Sequence, residues 1–138
     1  MDDSGLPKYI VDACCILNFY ASGRLFEILE TLEGEIYTTN YVIREECKYI
    51  REGEEKISVD LGEVIANELL LATELKGEEY TTFVNMIELL DDGEAECAAI
   101  AHHRNYILVT DDKNAIKKLE NNLSELSISV VSGVQWVR

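Results

Sequence analysis

Carboxylates placed at the ends of apolar runs are the residues in this sequence whose types and spacing could do chemistry. Asp12 directly follows the run KYIV at 8–11, and Asp111 and Asp112 directly follow YILVT at 106–110. Glu45 and Glu46 fall in the first turns of a helix expected after a second strand. Glu94 and Glu96 fall in the first turn of a helix expected after the break Asp91-Asp92-Gly93. In an open parallel sheet, ligands bind beyond the carboxyl ends of the strands, near the point where strand order reverses. Helix N-termini lie on that same side, so four separate elements could aim acids at one place, provided the strands ending at Asp12 and Asp112 are neighbours.

Such a cluster needs a counter-ion. Two like charges at 4 Å repel by about 1 kcal/mol in water and roughly 4 kcal/mol at an effective dielectric of 20. One or two Mg²⁺ or Mn²⁺ ions meet the need, because these hard cations prefer carboxylate oxygen, keep several waters and bind phosphate oxygens. The reaction implied is phosphodiester hydrolysis by a metal-bound water. No Ser-His-Asp or Cys-His arrangement competes with it, and His102 and His103, adjacent on an expected helix, point about 100° apart and make no two-histidine metal face.

The same acids have plain structural uses. Glu94 and Glu96 suit the positive end of a helix dipole, Asp111 and Asp112 suit a turn or cap, and Glu45 and Glu46 suit a solvated helix. Asp12, directly after an apolar strand, is the hardest to explain in this way.

The elements that must position these acids alternate. Strands are expected at 8–11, 35–39, 57–59, 106–110 and 128–131. Helices are expected at 16–32, closed by Gly34, at 40–50 with Asn40 as cap, at 63–75, at 80–90 beyond Gly77, at 94–103 and at 114–123. Alternation of strand and helix implies a mainly parallel sheet of four or five strands covered on both faces, a three-layer α/β/α sandwich. A chain of 138 residues suits one domain spanning 1–138.

Composition narrows the setting. Apolar residues make up 47% of the chain and proline occurs once, which fits a globular chain rich in regular structure. No apolar stretch is long enough for a membrane span and the N-terminus lacks the order of a signal peptide, so a cytoplasmic protein without membrane contact is the expectation. The cysteines Cys14, Cys15, Cys47 and Cys97 form no C-x-x-C pair and read as buried reduced thiols. The net charge of −15 opposes binding to a polyanion. Basic residues remain in small groups at Lys48 and Arg51 and at Lys113, Lys117 and Lys118. Lys113 and Lys117, four apart on one helical face beside Asp112, are candidates for RNA phosphate contact.

The segment YIVDACCILNFYASGRLFEIL resembles the opening of PIN domains, in which a strand ends in aspartate and an asparagine, here Asn18, follows on the helix. TTNYVIREEC resembles the second motif of that family, a strand end followed by V-x-x-E, which assigns the acid to Glu45 ahead of Glu46. DGEAECAAIAHHRNYILVTDDKNA is similar to the third and fourth motifs and assigns Glu94 and Asp112, leaving Glu96 and Asp111 as alternates. The resemblance covers roughly residues 8–131. It implies a metal-dependent ribonuclease using Asp12, Glu45, Glu94 and Asp112, with Asp12, Glu94 and Asp112 as metal ligands and Thr110 and Asn18 in support. It further implies the toxin half of a VapC-type toxin–antitoxin pair, with a small antitoxin as partner and homodimerisation. The third acid, usually aspartate, is glutamate here within G-E-A-E, and Cys14 stands where a hydroxyl residue is common.

Two other readings compete. Aspartyl phosphoryl transfer also uses strand-end acids and magnesium, but Asp12 is followed by Ala13-Cys14 rather than by a second acid two residues on. A PIN-like module that grips a basic partner without cutting fits the −15 charge.

Overall fold

Four of the expected strand segments form one sheet, and a fifth strand joins them from within an expected helix. In chain order the strands are β1 (Lys8–Val11), β2 (Glu35–Thr39), β3 (Tyr49–Glu52), β4 (Glu55–Ser58), β5 (Leu71–Thr73), β6 (Ile107–Val109) and β7 (Val130–Val131). The helices are α1 (Ala13–Ala21), α2 (Leu25–Thr31), α3 (Gly62–Ala66), α4 (Glu79–Met86), α5 (Asp92–Arg104) and α6 (Lys113–Asn122). This computed structural model describes residues 5–122 and 126–136. None of its helices is long and apolar enough to cross a membrane.

Five strands form one sheet in the order β5-β2-β1-β6-β7, every pairing parallel, and helices cover it as an α/β/α sandwich. From β1 the chain steps outward to β2 and β5, then returns to the other side of β1 for β6 and β7. Strand order therefore reverses beside β1, and the crevice expected at such a point opens beyond the carboxyl ends of β1 and β6. Their register, Val11 opposite Val109, brings Asp12 level with Thr110.

The core gathers Ile10, Val11, Ile16, Phe19, Ile36 and Val109 with one face of α5. That face is small: Ala95, Cys97, Ala98, Ala99 and Ala101 are all buried, which lets the helix backbone approach the sheet. Asp91 and Glu94 close a capping box at the start of α5, and Asn105, at φ 57°, ends it in the left-handed conformation. At that end Arg104 grips Glu79 of α4 with Nε–Oε2 2.7 Å and Nη2–Oε1 2.9 Å, and reaches Thr73 of β5 and the Glu74 carbonyl.

Several expected elements differ. The helix expected at 16–32 is two helices, because the Ser22 hydroxyl bonds to the Phe19 carbonyl and Gly23, at φ 78°, turns the chain. Gly34 is no helix cap: at φ 123° it abuts the Pro7 carbonyl, where a Cβ would lie 2.3 Å from the oxygen. The helix expected at 40–50 stops after a π-helical turn, Val42–Glu46, and Thr39 rather than Asn40 accepts from its open Val42 amide. The strand expected at 57–59 belongs to an antiparallel β3–β4 hairpin outside the parallel sheet, turned at Gly53, φ 63°. The helix expected at 63–75 ends at Ala66, with Glu68 at φ 57°, and residues 71–73 instead form edge strand β5. The expected end of the last helix at Leu123 lies outside the described residues.

Candidate active site

Asp12 follows β1 and caps α1, its Oδ1 accepting from the Cys15 amide at 3.1 Å and the Cys14 thiol at 3.1 Å. Thr110, at the end of β6, donates its hydroxyl to Asp12 Oδ2 and accepts the Asp112 amide at 3.1 Å. Both residues are buried, at 2% and 1% exposure. Burial pushes the Asp12 carboxyl up, and the Thr110, Cys14 and Cys15 donors offset that only in part.

Asp112 caps α6 by accepting from the Asn114 and Ala115 amides at 2.9 and 3.1 Å. A hydrogen bond from Glu94, followed by burial acting in the opposite sense, leaves its carboxyl below the usual range. Glu94 is pushed up to about 8, first by burial and then by that bond to Asp112. Glu46 is pushed up to about 7, first by burial and then by Asp91, although the Gly93 amide bonds to it. Asp12, Cys14, Glu46, Asp91, Glu94 and Asp112 line one cleft of about 390 Å³. The helix starts that present these acids turn their partial positive charge toward the same space.

Of the acids singled out in the sequence, the cleft thus brings together Asp12, Glu94, Asp112 and Glu46. Glu45 is not among them; it is exposed and paired with Lys48 at 3.6 Å. The π turn is the reason. The Cys47 amide reaches back to the Val42 carbonyl at 2.9 Å, five residues away. A wider turn keeps i+4 near the inward face of buried Val42 and swings i+3 off it. Glu96 faces Thr39, and its Oε1 is buried without a hydrogen-bond partner. Asp111 points to the far side, accepting from Ser132 Oγ at 2.5 Å and the Val134 amide at 3.2 Å. Asn18 is exposed and does not line the cleft; Lys113 and Lys117 are exposed on α6.

Two polar lining residues lie outside the site set expected from the sequence. Asp91 belongs to the break expected before this helix, although the D-x-x-E spacing to Glu94 is a capping-box signature. Cys14, expected to be buried, is half-buried and faces the cleft, whereas Cys15, Cys47 and Cys97 are buried; all four thiols are free.

The donor set fits a hard divalent cation. Among the described residues the cleft lining holds carboxyls and no lysine or arginine, and burial beside other acids holds Glu46 and Glu94 well above the usual carboxylate range. Among the described residues, the tightest group of metal-ligating types is Asp12 with Cys14 and Cys15, ligand atoms within 4.8 Å of one another. The Cys14 thiol spends its proton on Asp12 and the Cys15 thiol on Asp111. The oxygens of Asp12, Glu46, Glu94 and Asp112 are therefore the available set, and a cation that keeps its own waters can bridge such a set.

The family described as a PIN domain matches residues 8–127. No curated protein matches the chain. The fold is similar to that of a solved structure, VapBC2 from Rickettsia felis bound to a DNA fragment from its promoter. The TM-score is 0.52 at 11% sequence identity, over 91% of this chain and 98% of the other.

Proposed function

The chain belongs to the PIN-domain family, and from that premise we propose that it is a cytoplasmic, metal-dependent endoribonuclease that hydrolyses RNA phosphodiesters in this cleft. The observation that carries the reading is the gathering of Asp12, Glu46, Glu94 and Asp112 around one open cleft. Asp12, Glu94 and Asp112 are the metal ligands, and Glu46, in the place expected for Glu45, supplies the fourth carboxylate. One or two Mg²⁺ or Mn²⁺ ions supply, when bound, a water of lowered pKa and positive charge against the phosphate.

The remaining work is done by the chain itself. Thr110 and the Cys15 amide hold the Asp12 carboxylate in one orientation, so its oxygens need no reordering when substrate arrives. The Gly93 amide holds Glu46 opposite. Lys113 and Lys117, exposed on α6 next to Asp112, contact the RNA backbone.

The partner proposed is a small antitoxin, with the chain acting as the toxin of the pair and forming a homodimer; the fold it shares with the VapBC2 structure supports the antitoxin partner. The −15 charge favours a second reading, a PIN module that holds a basic partner without cutting. RNA cleavage with and without Mg²⁺, comparing wild type with Asp12→Asn, separates the two. Magnesium-dependent cutting lost in the variant supports the nuclease, and equal activity in both proteins rejects it.

A further inference from the structure

The β3–β4 hairpin stands outside the parallel sheet and has two unlike faces. Its cross-strand pairs are Tyr49 with Ser58, Ile50 with Ile57, Arg51 with Lys56 and Glu52 with Glu55. Side chains alternate along a strand and directly opposed residues share a side, so Tyr49, Arg51 and Lys56 lie together on one face. The half-buried Ile50 and Ile57 mark the other face as the inward one.

The outward face is an unusual construction for a chain with 12 basic and 27 acidic residues. Arg51 and Lys56 are directly opposed like charges, an arrangement that destabilises a hairpin by itself. Among the described residues neither forms an ion pair with a carboxylate. Lys56 Nζ lies 4.0 Å from the centre of the Tyr49 ring, and Tyr49 is 47% exposed. Two cations without an ion pair among the described residues, one of them seated over an exposed aromatic ring, match a strand of phosphates with unpaired bases, since bases stack on aromatics while cations follow the backbone. A duplex, with its bases already stacked, would leave Tyr49 unused. Arg51 follows Glu46 of the cleft by five residues, at most about 17 Å of extended chain, so one strand can reach both.

We propose that the Tyr49–Arg51–Lys56 face docks single-stranded RNA, with a base on Tyr49 and neighbouring phosphates on Arg51 and Lys56. The proposal rests on the ribonuclease reading, because the strand it holds is the one that passes through the cleft.

The test is fluorescence anisotropy of a labelled oligouridine with the full chain in EDTA, where no cutting occurs, over a range of salt. Arg51→Gln with Lys56→Gln is expected to weaken binding about tenfold and to lower the slope of log affinity against log salt by about 1.4. Tyr49→Ser is expected to weaken it about fivefold, and Tyr49→Phe to leave it unchanged. Thermal melting checks that each variant folds. Manganese-dependent hydrolysis of bis(p-nitrophenyl) phosphate, too short to reach the hairpin, is expected to be equal in all of them. If that ester is cut while oligouridine binds every variant alike, the docking face is refuted and the nuclease stands. Binding that depends on the hairpin in a protein that cuts nothing leaves the docking face standing and removes the nuclease. A duplex bound equally well through the same residues, or an acidic peptide bound in place of oligouridine, overturns the assignment to single-stranded RNA.

Discussion

Glu94 and Asp112 share one hydrogen bond, and because both partners are carboxyls the bond exists only while one of them keeps its proton. Burial and that bond raise Glu94 to about 8, while Asp112 is lowered by the same bond. The pair is therefore a neutral donor facing a charged acceptor, a state that suits a protein waiting for a cation.

A pH dependence follows. A group whose folded pKa is raised contributes stability that is present below its ordinary value, 4.5 for Glu94, and is lost as pH rises through about 8. Glu46, raised to about 7, acts in the same direction. The melting temperature of the metal-free protein is expected to fall as pH rises across this window, less steeply in Glu94→Gln, and Mn²⁺ is expected to restore it while releasing protons. Calorimetry in EDTA and in Mn²⁺ measures both; a melting temperature that is flat with pH would refute the shared proton.

Glu46 and Glu45 are adjacent, yet only Glu46 lines the cleft. Glu46→Gln is expected to lower Mn²⁺ affinity and RNA cleavage by about 10- to 100-fold, as loss of a carboxylate partner at a metal site commonly does. Glu45→Gln, which removes only an exposed pair with Lys48, is expected to stay within about twofold of wild type. The reverse order of effects would return the fourth carboxylate to Glu45.

The strands ending at Asp12 and Asp112 were legible because apolar runs that stop at an acid have few other uses, and the small-residue helix after Gly93 because alanine at core positions marks close packing. Residues 69–71, three leucines, fit a helix and a strand equally; pairing with β2, remote in sequence, decides between them. The choice of Glu46 over Glu45 depends on one backbone bond from Cys47 to Val42, which no side-chain pattern announces. Asp91, by contrast, was readable from its spacing to Glu94.

Arg104 and Glu79 tie α5 to α4 with side chains 18% and 7% exposed. Glu79→Ala leaves the guanidinium half-satisfied and is expected to cost about 3 to 5 kcal/mol by urea unfolding. Arg104→Met with Glu79→Leu, which removes both charges, is expected to cost less than either single change. Burial acts first, to raise the Glu79 carboxyl, but the Arg104 bond, the Lys76 amide and the Arg104 charge together lower it on balance. The stability contributed by this carboxyl is therefore present above its ordinary value of 4.5 and is lost as pH falls through the lowered one. A Glu79→Ala protein that unfolds at wild-type urea concentration would show the pair to be decorative.

Gly93 lies in the first turn of α5 with the Glu46 carboxyl resting against it. A Cβ there would stand 1.8 Å from Glu46 Oε1 and 2.6 Å from its Cδ, so Gly93→Ala must push that side chain aside. The obstructing atoms are the end of a flexible side chain rather than backbone, so the fold can absorb the change. Alanine is also the better helix former by up to about 1 kcal/mol. The expected signature is a melting temperature equal to or above that of wild type, together with Mn²⁺ affinity reduced toward that of Glu46→Gln. Combining Gly93→Ala with Glu46→Gln is then expected to add little to either, since both remove the same carboxylate from the cleft. Isothermal titration with Mn²⁺ beside thermal melting measures both halves. A Gly93→Ala protein that binds Mn²⁺ as wild type does would show that Glu46 has no part in holding the cation.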